Sequence, residues 1–473
     1  MPPSSERKTE AMLTAQDIAG AVGGRLVGSQ PDGQPISSVV VDSRQVTPGS
    51  LFVALEGQKH DGHEFVLDAF VKGAKAALVE RVPAVPSVQS DTGRLPMIVV
   101  ENTLSALLQL AGYWRQKLNL KVIGVTGSVG KTTTKEVIAG LLEQRYRVLK
   151  SEGNLNTEIG MPLTLLKATP RHEVLVLEMG MYDLGEIRTL AGLSRPDVGV
   201  VTNVGPTHLE RLGSIERIAD AKAELVEELP DGGLAILNFD DERVRAMSSR
   251  TRARVAYYGL DSEADFWADN VQGRGLQGIE FDLHRERAQI HVRMPLLGLH
   301  SVHAALAASA VGSGLGMSLD EVAAGLHEVS PALRLIVAAG VNGSTIIDDS
   351  YNASPASTLA ALNLLADLEG RKVAVLGDML ELGSYQDEGH RLVGRRAADV
   401  SAILVAVGQL GQIIGQEALA SGKSSNTVFF ANSSEEAVQI LNDLLQPVDC
   451  VLVKGSRGMR MEDIVEGIRC PTP

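Results

Sequence analysis

Along residues 103–329, short apolar runs alternate with stretches whose apolar residues recur at helical spacing. The runs at 122–126, 174–178, 198–203 and 234–238 are each five or six residues long, the length and continuity of strands buried on both faces. The helical stretches between them predict crossover connections, and so a parallel sheet with helices on its faces. Residues 330–473 repeat the pattern more compactly, with runs at 372–376, 402–407, 428–431 and 450–453. Gly408 and Gly411 do not complete a dinucleotide fingerprint, so this segment reads as Rossmann-like without NAD. Residues 11–102 show shorter strands at 38–41, 51–54 and 98–100, one helix at 64–72, and a Pro/Ser-rich loop at 83–96. The predicted fold is α/β in three domains: 1–102, with a loose tail at 1–10, then 103–329 and 330–473.

Composition narrows the function classes. The chain has 473 residues, 44% of them hydrophobic and 22% charged, in keeping with about three globular domains. A net charge of −14 gives no general attraction for nucleic acid or anionic lipid. Any anionic ligand must be met by local Lys, Arg, helix ends or metal. The two cysteines, Cys450 and Cys470, form neither a disulfide framework nor a metal-spacing pattern. Residues 1–10 lack an apolar core and nowhere do eighteen apolar residues run together. A cytoplasmic protein with neither signal peptide nor membrane span is expected.

The richest segment joins the run at 122–126 to Gly127-Ser128-Val129-Gly130-Lys131-Thr132-Thr133 and then to an amphipathic helix. A glycine loop between strand and helix cradles phosphate. Backbone N–H groups from Thr126 to Thr133 and the positive helix end converge there, Lys131 meets nucleotide phosphates, and the Thr132 hydroxyl can hold Mg²⁺. Val125 stands where the general phosphate-loop pattern has glycine, so only Gly127, Gly130, Lys131 and Thr132 agree with it. A plain βα turn is the alternative. Glu178 ends the run at 174–178, where a parallel sheet would present a carboxylate to that metal, and a carboxylate with a hydroxyl suits Mg²⁺. By themselves, His208 reads as an ordinary loop histidine and Lys222 as a solvated helix lysine.

Four motifs in this order change that reading: Thr126-Gly127-Ser128-Val129-Gly130-Lys131-Thr132-Thr133, Leu177-Glu178-Met179-Gly180, Thr202-Asn203-Val204-Gly205 with His208, and Ala221-Lys222-Ala223-Glu224. Together they resemble the central ATPase domain of the Mur ligases, which extend the peptide of the bacterial cell-wall precursor and share the shortened loop. Asp42-Ser43-Arg44, Pro48-Gly49 and Asp61-Gly62-His63 resemble the family's UDP-muramoyl-binding domain. Asp349-Ser350-Tyr351-Asn352-Ala353-Ser354-Pro355, Gly377-Asp378-Met379-Leu380-Glu381-Leu382-Gly383 and Lys454-Gly455-Ser456-Arg457-Gly458 resemble the branch that adds D-alanyl-D-alanine.

The resemblance implies an ATP-dependent ligase. ATP phosphorylates the terminal carboxylate of UDP-N-acetylmuramoyl-tripeptide, and the amine of D-alanyl-D-alanine attacks the acyl phosphate. It further implies two Mg²⁺ ions, one on Thr132 and Glu178 and a second on His208, with Lys222 carbamylated by CO₂ into a carboxylate-like ligand. Arg334 and Asp349 would close over ATP. Ser43 and Arg44 would lie at the UDP-muramoyl group, Asn154, Asn156 and Thr157 along the peptide, and Tyr351, Asn352 and Arg457 at substrate in the last domain.

One stretch departs from the family. Two asparagines that commonly stand near the adenine are here Ser301 and Ala304, with His303 free either to substitute or to pack. Loss of both amides removes specific hydrogen-bonding groups. Two rivals are weighed. A sister ligase adding diaminopimelate or lysine would carry Asp-Asn-Pro-Arg where this chain has Ala431-Asn432-Ser433-Ser434. A non-catalytic ATP-binding regulatory module would not need Glu178, His208 and Lys222 together.

Overall fold

The computed structural model describes residues 13–28, 33–57, 60–83, 95–153, 155–329 and 336–470. The tail at 1–10, residues 84–94 of the predicted loop, Asn154 and Arg334 lie outside them. The described residues carry sheets of five, nine and six strands and divide into two compact units. One comprises the chain up to Gly124 with Tyr146–Gly180 and Arg188–Asp197; the other comprises Val125–Arg145, Met181–Ile187 and the chain from Val198. Among the described residues no helix is long and apolar enough to cross a membrane.

In the first unit, β1 (Arg25–Val27), β2 (Val39–Val40), β3 (Leu51–Val53), β4 (Ala76–Val79) and β5 (Met97–Val99) form the five-stranded sheet in the order β1-β5-β4-β3-β2. All neighbours are parallel except β1 with β5. Helices cover both faces: Ile18, Leu107 and Leu110 pack with Leu51, Leu78 and Ile98 on one side, and Val66 and Ala69 with Phe52 and Ala77 on the other. The sequence predicted one helix here; the structure adds Ala15–Ala21, closed by a capping box between Thr14 and Asp17. That box uses Asp where the usual signal is Glu or Gln, and seven residues are too few for a clear period. β4 escaped notice because Ala76 and Ala77 are poor strand formers. The unit also holds the parallel pair β7 (Val148–Lys150) and β8 (Val174–Glu178). The strand β6 (Lys121–Thr126) carries the chain from this unit into the next.

The second unit contains β9 (Val198–Val201), β10 (Leu234–Asn238), β11 (Arg254–Gly259) and β12 (Phe266–Gly273) as successive parallel neighbours. The expected parallel sheet is present through these strands, and beyond β12 it is extended by two strands that the apolar runs did not mark. β13 (Ile279–Arg285) and β14 (Ala288–Met294) run on as an antiparallel meander. Phe281, Leu283 and Val292 are buried while Asp282, His284 and His291 face outward, and such one-sided burial is what an antiparallel edge tolerates.

The last sheet, also in the second unit, comprises β15 (Ile336–Ala339), β16 (Thr345–Asp349), β17 (Arg371–Leu376), β18 (Ile403–Val407), β19 (Val428–Ala431) and β20 (Asp449–Lys454). Its order is β15-β16-β20-β17-β18-β19, parallel apart from β15. Ala374 and Leu376 face Leu362, Val393 and Ile414, whereas Val373 and Val375 face Leu441 and Ile464. Helices therefore cover both faces, as the Rossmann-like reading expected. The chain leaves β17 and β20 toward opposite faces, so their C-terminal ends flank a topological switch point.

Candidate active site

β6 ends at Thr126, and the next residue admits no side chain: a Cβ on Gly127, whose φ is 149°, would lie 1.8 Å from Thr202 Oγ1. Gly130, at φ 81°, is the left-handed cap from which the helix Lys131–Leu142 starts. Both glycines are thus required by geometry. Between them the loop is pinned by the segment following β9. Ser128 N donates to Asn203 O and Val129 N to Asn203 Oδ1, each at 2.9 Å. In return, Thr202 Oγ1 and Asn203 Nδ2 donate to Val129 O at 2.7 and 2.9 Å. The amides of Ser128 and Val129, expected to face phosphate, are turned onto Asn203 instead. Lys131 Nζ reaches back across the loop to Gly127 O (2.7 Å) and Ser128 O (3.2 Å). Thr132 is buried in the first helical turn.

Lys222 and His208 belong to the same neighbourhood. Lys222, on the helix Ile215–Glu227, is only 2% exposed, which overturns its reading as a solvated lysine. Burial, and then the Lys131 charge, push its ammonium well below the usual lysine range. It has no hydrogen bond or ion pair among the described residues. His208 takes φ 56° at the start of the helix Leu209–Leu212. Its Nδ1 lies 2.8 Å from Glu381 Oε2, and Tyr182 meets its ring edge-to-face at 5.2 Å. Burial lowers the imidazole pKa, Glu381 opposes this, and Lys131 and Lys222 lower it further.

In the first unit, Glu178 closes β8 at 3% exposure and accepts a 3.0 Å hydrogen bond from Asn156 Nδ2. The expected metal ligand and an expected peptide-site residue are therefore brought together. Thr157 lies just before the helix Gly160–Lys167, whose first amide donates to its hydroxyl at 3.4 Å. Ser43 is buried in a short 3₁₀ turn. Arg44 is largely exposed and holds the Asp42 carboxyl down at about 2 by hydrogen bonding.

At the C-terminal strand ends of the last sheet, Lys454 Nζ pairs with Asp349 at 2.6 Å and donates to Asn352 O at 2.9 Å. The Arg457 guanidinium sits 5.7 Å from the Tyr351 ring centroid and pairs with Glu462 at 2.7 Å. Ser301 turns its hydroxyl inward to Leu297 O, Ala304 is buried, and His303 pairs with Asp240 at 2.8 Å. Sequence reasoning assigned no role to Asn203, Lys454, Glu381 or Asp240. Asn203, Glu381 and Lys454 stood within sequence motifs, but only the arrangement of the fold shows what each of them contacts; Asp240 had no signal in the sequence.

Among the described residues no three His, Cys, Asp or Glu side chains form a metal-binding group. The chemistry of Lys222 itself suits a carbamate: a fully buried amine, without a partner among the described residues and beside another cation, is where an added anionic oxygen, and a Mg²⁺ held by it, would be favoured.

A phosphate loop at a parallel strand end, a buried lysine beside it and a Rossmann-like last sheet define an ATP-dependent ligase architecture, and the chain belongs to the Mur ligase family. Models of the family match at residues 35–115 (Mur ligase family, catalytic domain), 125–312 (Mur ligase middle domain) and 333–457 (Mur ligase, glutamate ligase domain), a three-domain α/β architecture. The chain is 37% identical to the UDP-N-acetylmuramoyl-tripeptide–D-alanyl-D-alanine ligase of Bacillus subtilis, over 96% of this chain and 98% of that protein. The Escherichia coli ligase of the same name is 35% identical over 97% and 98%. Among solved structures, MurF from Acinetobacter baumannii superposes with a TM-score of 0.85 at 32% identity, covering 97% of this chain and 98% of that one. MurF ligase from Thermotoga maritima in complex with ADP gives 0.76 at 30% identity, covering 91% and 97%.

Proposed function

We infer that this chain joins the terminal carboxylate of UDP-N-acetylmuramoyl-tripeptide to the amine of D-alanyl-D-alanine, with ATP converted to ADP and phosphate, in peptidoglycan precursor synthesis. Near-full-length likeness to ligases named for that reaction carries the reading. The chemistry runs in two steps. A carboxylate oxygen takes the γ-phosphoryl group of ATP and ADP leaves; the dipeptide amine then attacks the acyl carbon, phosphate departs and the amine loses a proton. Neither step needs a covalent protein intermediate, so the chain's work is positioning and charge neutralisation.

Lys131 and the N-terminal end of the helix Lys131–Leu142 hold the β- and γ-phosphates. With Ser128 and Val129 bound to Asn203, the loop is a preformed rim. Thr132, Glu178, His208 and carbamylated Lys222 are the proposed Mg²⁺ ligands. Mg²⁺ bound there would offset the negative charge shared by ATP and the substrate carboxylate. Carbamylation fits the state of Lys222: an amine whose ammonium is disfavoured by burial can attack CO₂, forming the N–C bond and releasing one proton. Ser43, Arg44, Asn156 and Thr157 are proposed to face the UDP-muramoyl-peptide, and Asp349, Tyr351, Asn352 and Arg457 to face ATP and dipeptide. Asn154 and Arg334 keep the roles the family resemblance gives them.

A ligation assay tests the whole reading. UDP-muramoyl dipeptide and UDP-muramoyl tripeptides ending in diaminopimelate or lysine are offered separately, each with diaminopimelate, lysine or D-alanyl-D-alanine, and products are weighed by mass spectrometry. A dipeptide mass gain is expected. Gain of one amino acid would move the chain to the sister branch, and ATP binding without any ligation would make it a regulatory module.

A further inference from the structure

The loop after β17 carries a carboxylate that the reaction as described does not use. Glu381 holds a left-handed backbone, φ 64°, facing His208, itself left-handed at φ 56°. Non-glycine residues pay for that conformation, so both side chains are aimed by strained backbone. Glu381 Oε2 stands 2.8 Å from His208 Nδ1, and that buried nitrogen makes no well-aligned hydrogen bond among the described residues, so Glu381 is the acceptor within reach of it. The loop behind Glu381 is itself fixed. Met379 N donates to the buried His390 Nε2 at 3.0 Å, Leu380 N donates to Ser456 Oγ at 2.8 Å, and Ser456 N donates to Asp378 O at 2.9 Å. Two residues beyond Glu381, Gly383 packs so closely on the helix Leu209–Leu212 that a Cβ would lie 2.9 Å from Glu210 N. Glu381 is therefore delivered to His208 by a preformed loop seated on the adjoining helix.

A carboxylate only accepts, so the nitrogen facing it must carry the proton. That fixes His208 as the Nδ1–H tautomer and leaves the Nε2 lone pair available. Carboxylates in this position orient metal-binding histidines and raise their basicity. We propose that Glu381 is a positioning residue for His208, so that the histidine becomes a competent Mg²⁺ ligand only when the loop from the last domain is seated. This rests on the reading of His208 as a metal ligand in the proposed ligase.

The test measures Mn²⁺, as a paramagnetic substitute for Mg²⁺, binding to full-length protein with a non-hydrolysable ATP analogue. Glu381→Ala should weaken Mn²⁺ about 10- to 100-fold, with Glu381→Gln, which can still accept from Nδ1–H, in between. The Ala change should add nothing to His208→Ala. Nitrogen-15 histidine spectra of the unliganded protein should show His208 moving from the Nδ1–H to the Nε2–H form in Glu381→Ala, and the KM for dipeptide should stay near wild type while kcat falls. Unchanged Mn²⁺ affinity in a normally folded Glu381→Ala protein, or a raised dipeptide KM with wild-type metal binding, overturns the proposal. If the wild type makes no dipeptide product, the functional reading falls, while the Mn²⁺ and tautomer comparisons still decide the role of Glu381.

Discussion

Replacing Lys222 by methionine should make the protein more stable and far less active. The side chain is 2% exposed, lies beside the Lys131 charge and lacks an ionic partner among the described residues. Methionine fills a similar volume without a group that needs solvation. Replacing poorly compensated buried charge with apolar groups is neutral or stabilising by about 1–4 kcal/mol, and each kcal/mol is worth about 2–4 °C in melting temperature for a domain of this size. Calorimetry should therefore show an unchanged or higher Tm. Phosphate release should meanwhile fall about 10²- to 10³-fold, the usual loss when one preorganised charge contact to a reacting group is removed. Opposite signs in the two assays are the mark of a residue kept for function at a cost in stability. Lys222→Ala adds a sharper arm: acetate or formate should restore part of its rate and none of the wild type's, because what is missing is a carboxylate. A Lys222→Met protein that melts lower and turns over normally would make Lys222 a structural cation and refute the reasoning.

Lys131→Ala should abolish acyl-phosphate formation, with a loss of about 10²-fold or more and a native circular dichroism spectrum; wild-type turnover would remove the loop from the chemistry. Asn203→Ala strips the Val129 amide of its side-chain acceptor and leaves the Val129 carbonyl with Thr202 Oγ1 as its remaining side-chain donor, so stability should drop by about 1–3 kcal/mol and nucleotide affinity should fall with it, read by titration of a fluorescent ADP analogue; unaltered affinity would show that the clamp does not shape the rim. D-alanyl-D-alanine should be consumed as amine donor and free diaminopimelate should not, as product masses will show. Asp42 has its folded-state pKa lowered to about 2 by Arg44, so its stabilising contribution is present above the ordinary carboxylate value and is lost as pH falls through about 2; the pair is exposed, so Asp42→Asn should cost no more than about 1 kcal/mol at neutral pH, a difference that closes in strong acid.

The phosphate loop could be read from sequence because its chemistry is local: Gly127, Gly130 and Lys131 must stand within one turn of chain, so spacing alone reveals them. β6, β8, β9 and β10 were legible for a related reason, being buried on both faces and hence uninterrupted. β12 to β14 were not, because a sheet with one wet face spreads Asp269, Asp282, His284 and His291 through its strands, and those charges hide the apolar alternation. Lys222 shows a deeper limit. Periodicity places charged residues on the solvent face by definition, and its neighbours Ala221 and Ala223, small enough for either face, give no contrary signal, so residue-by-residue reading puts a buried cation outside. Family resemblance pointed to it, and only packing shows that the amine is buried without a partner among the described residues. Glu381 lay beyond both routes. Its motif was visible, but its meaning is a meeting with His208 across chain distant in sequence, fixed by two left-handed backbones and by Gly383 against Glu210. Pattern finds residues whose partners are neighbours in sequence; an arrangement assembled by docking of one segment on another leaves a motif with no stated purpose, which is the form in which Glu381 first appeared.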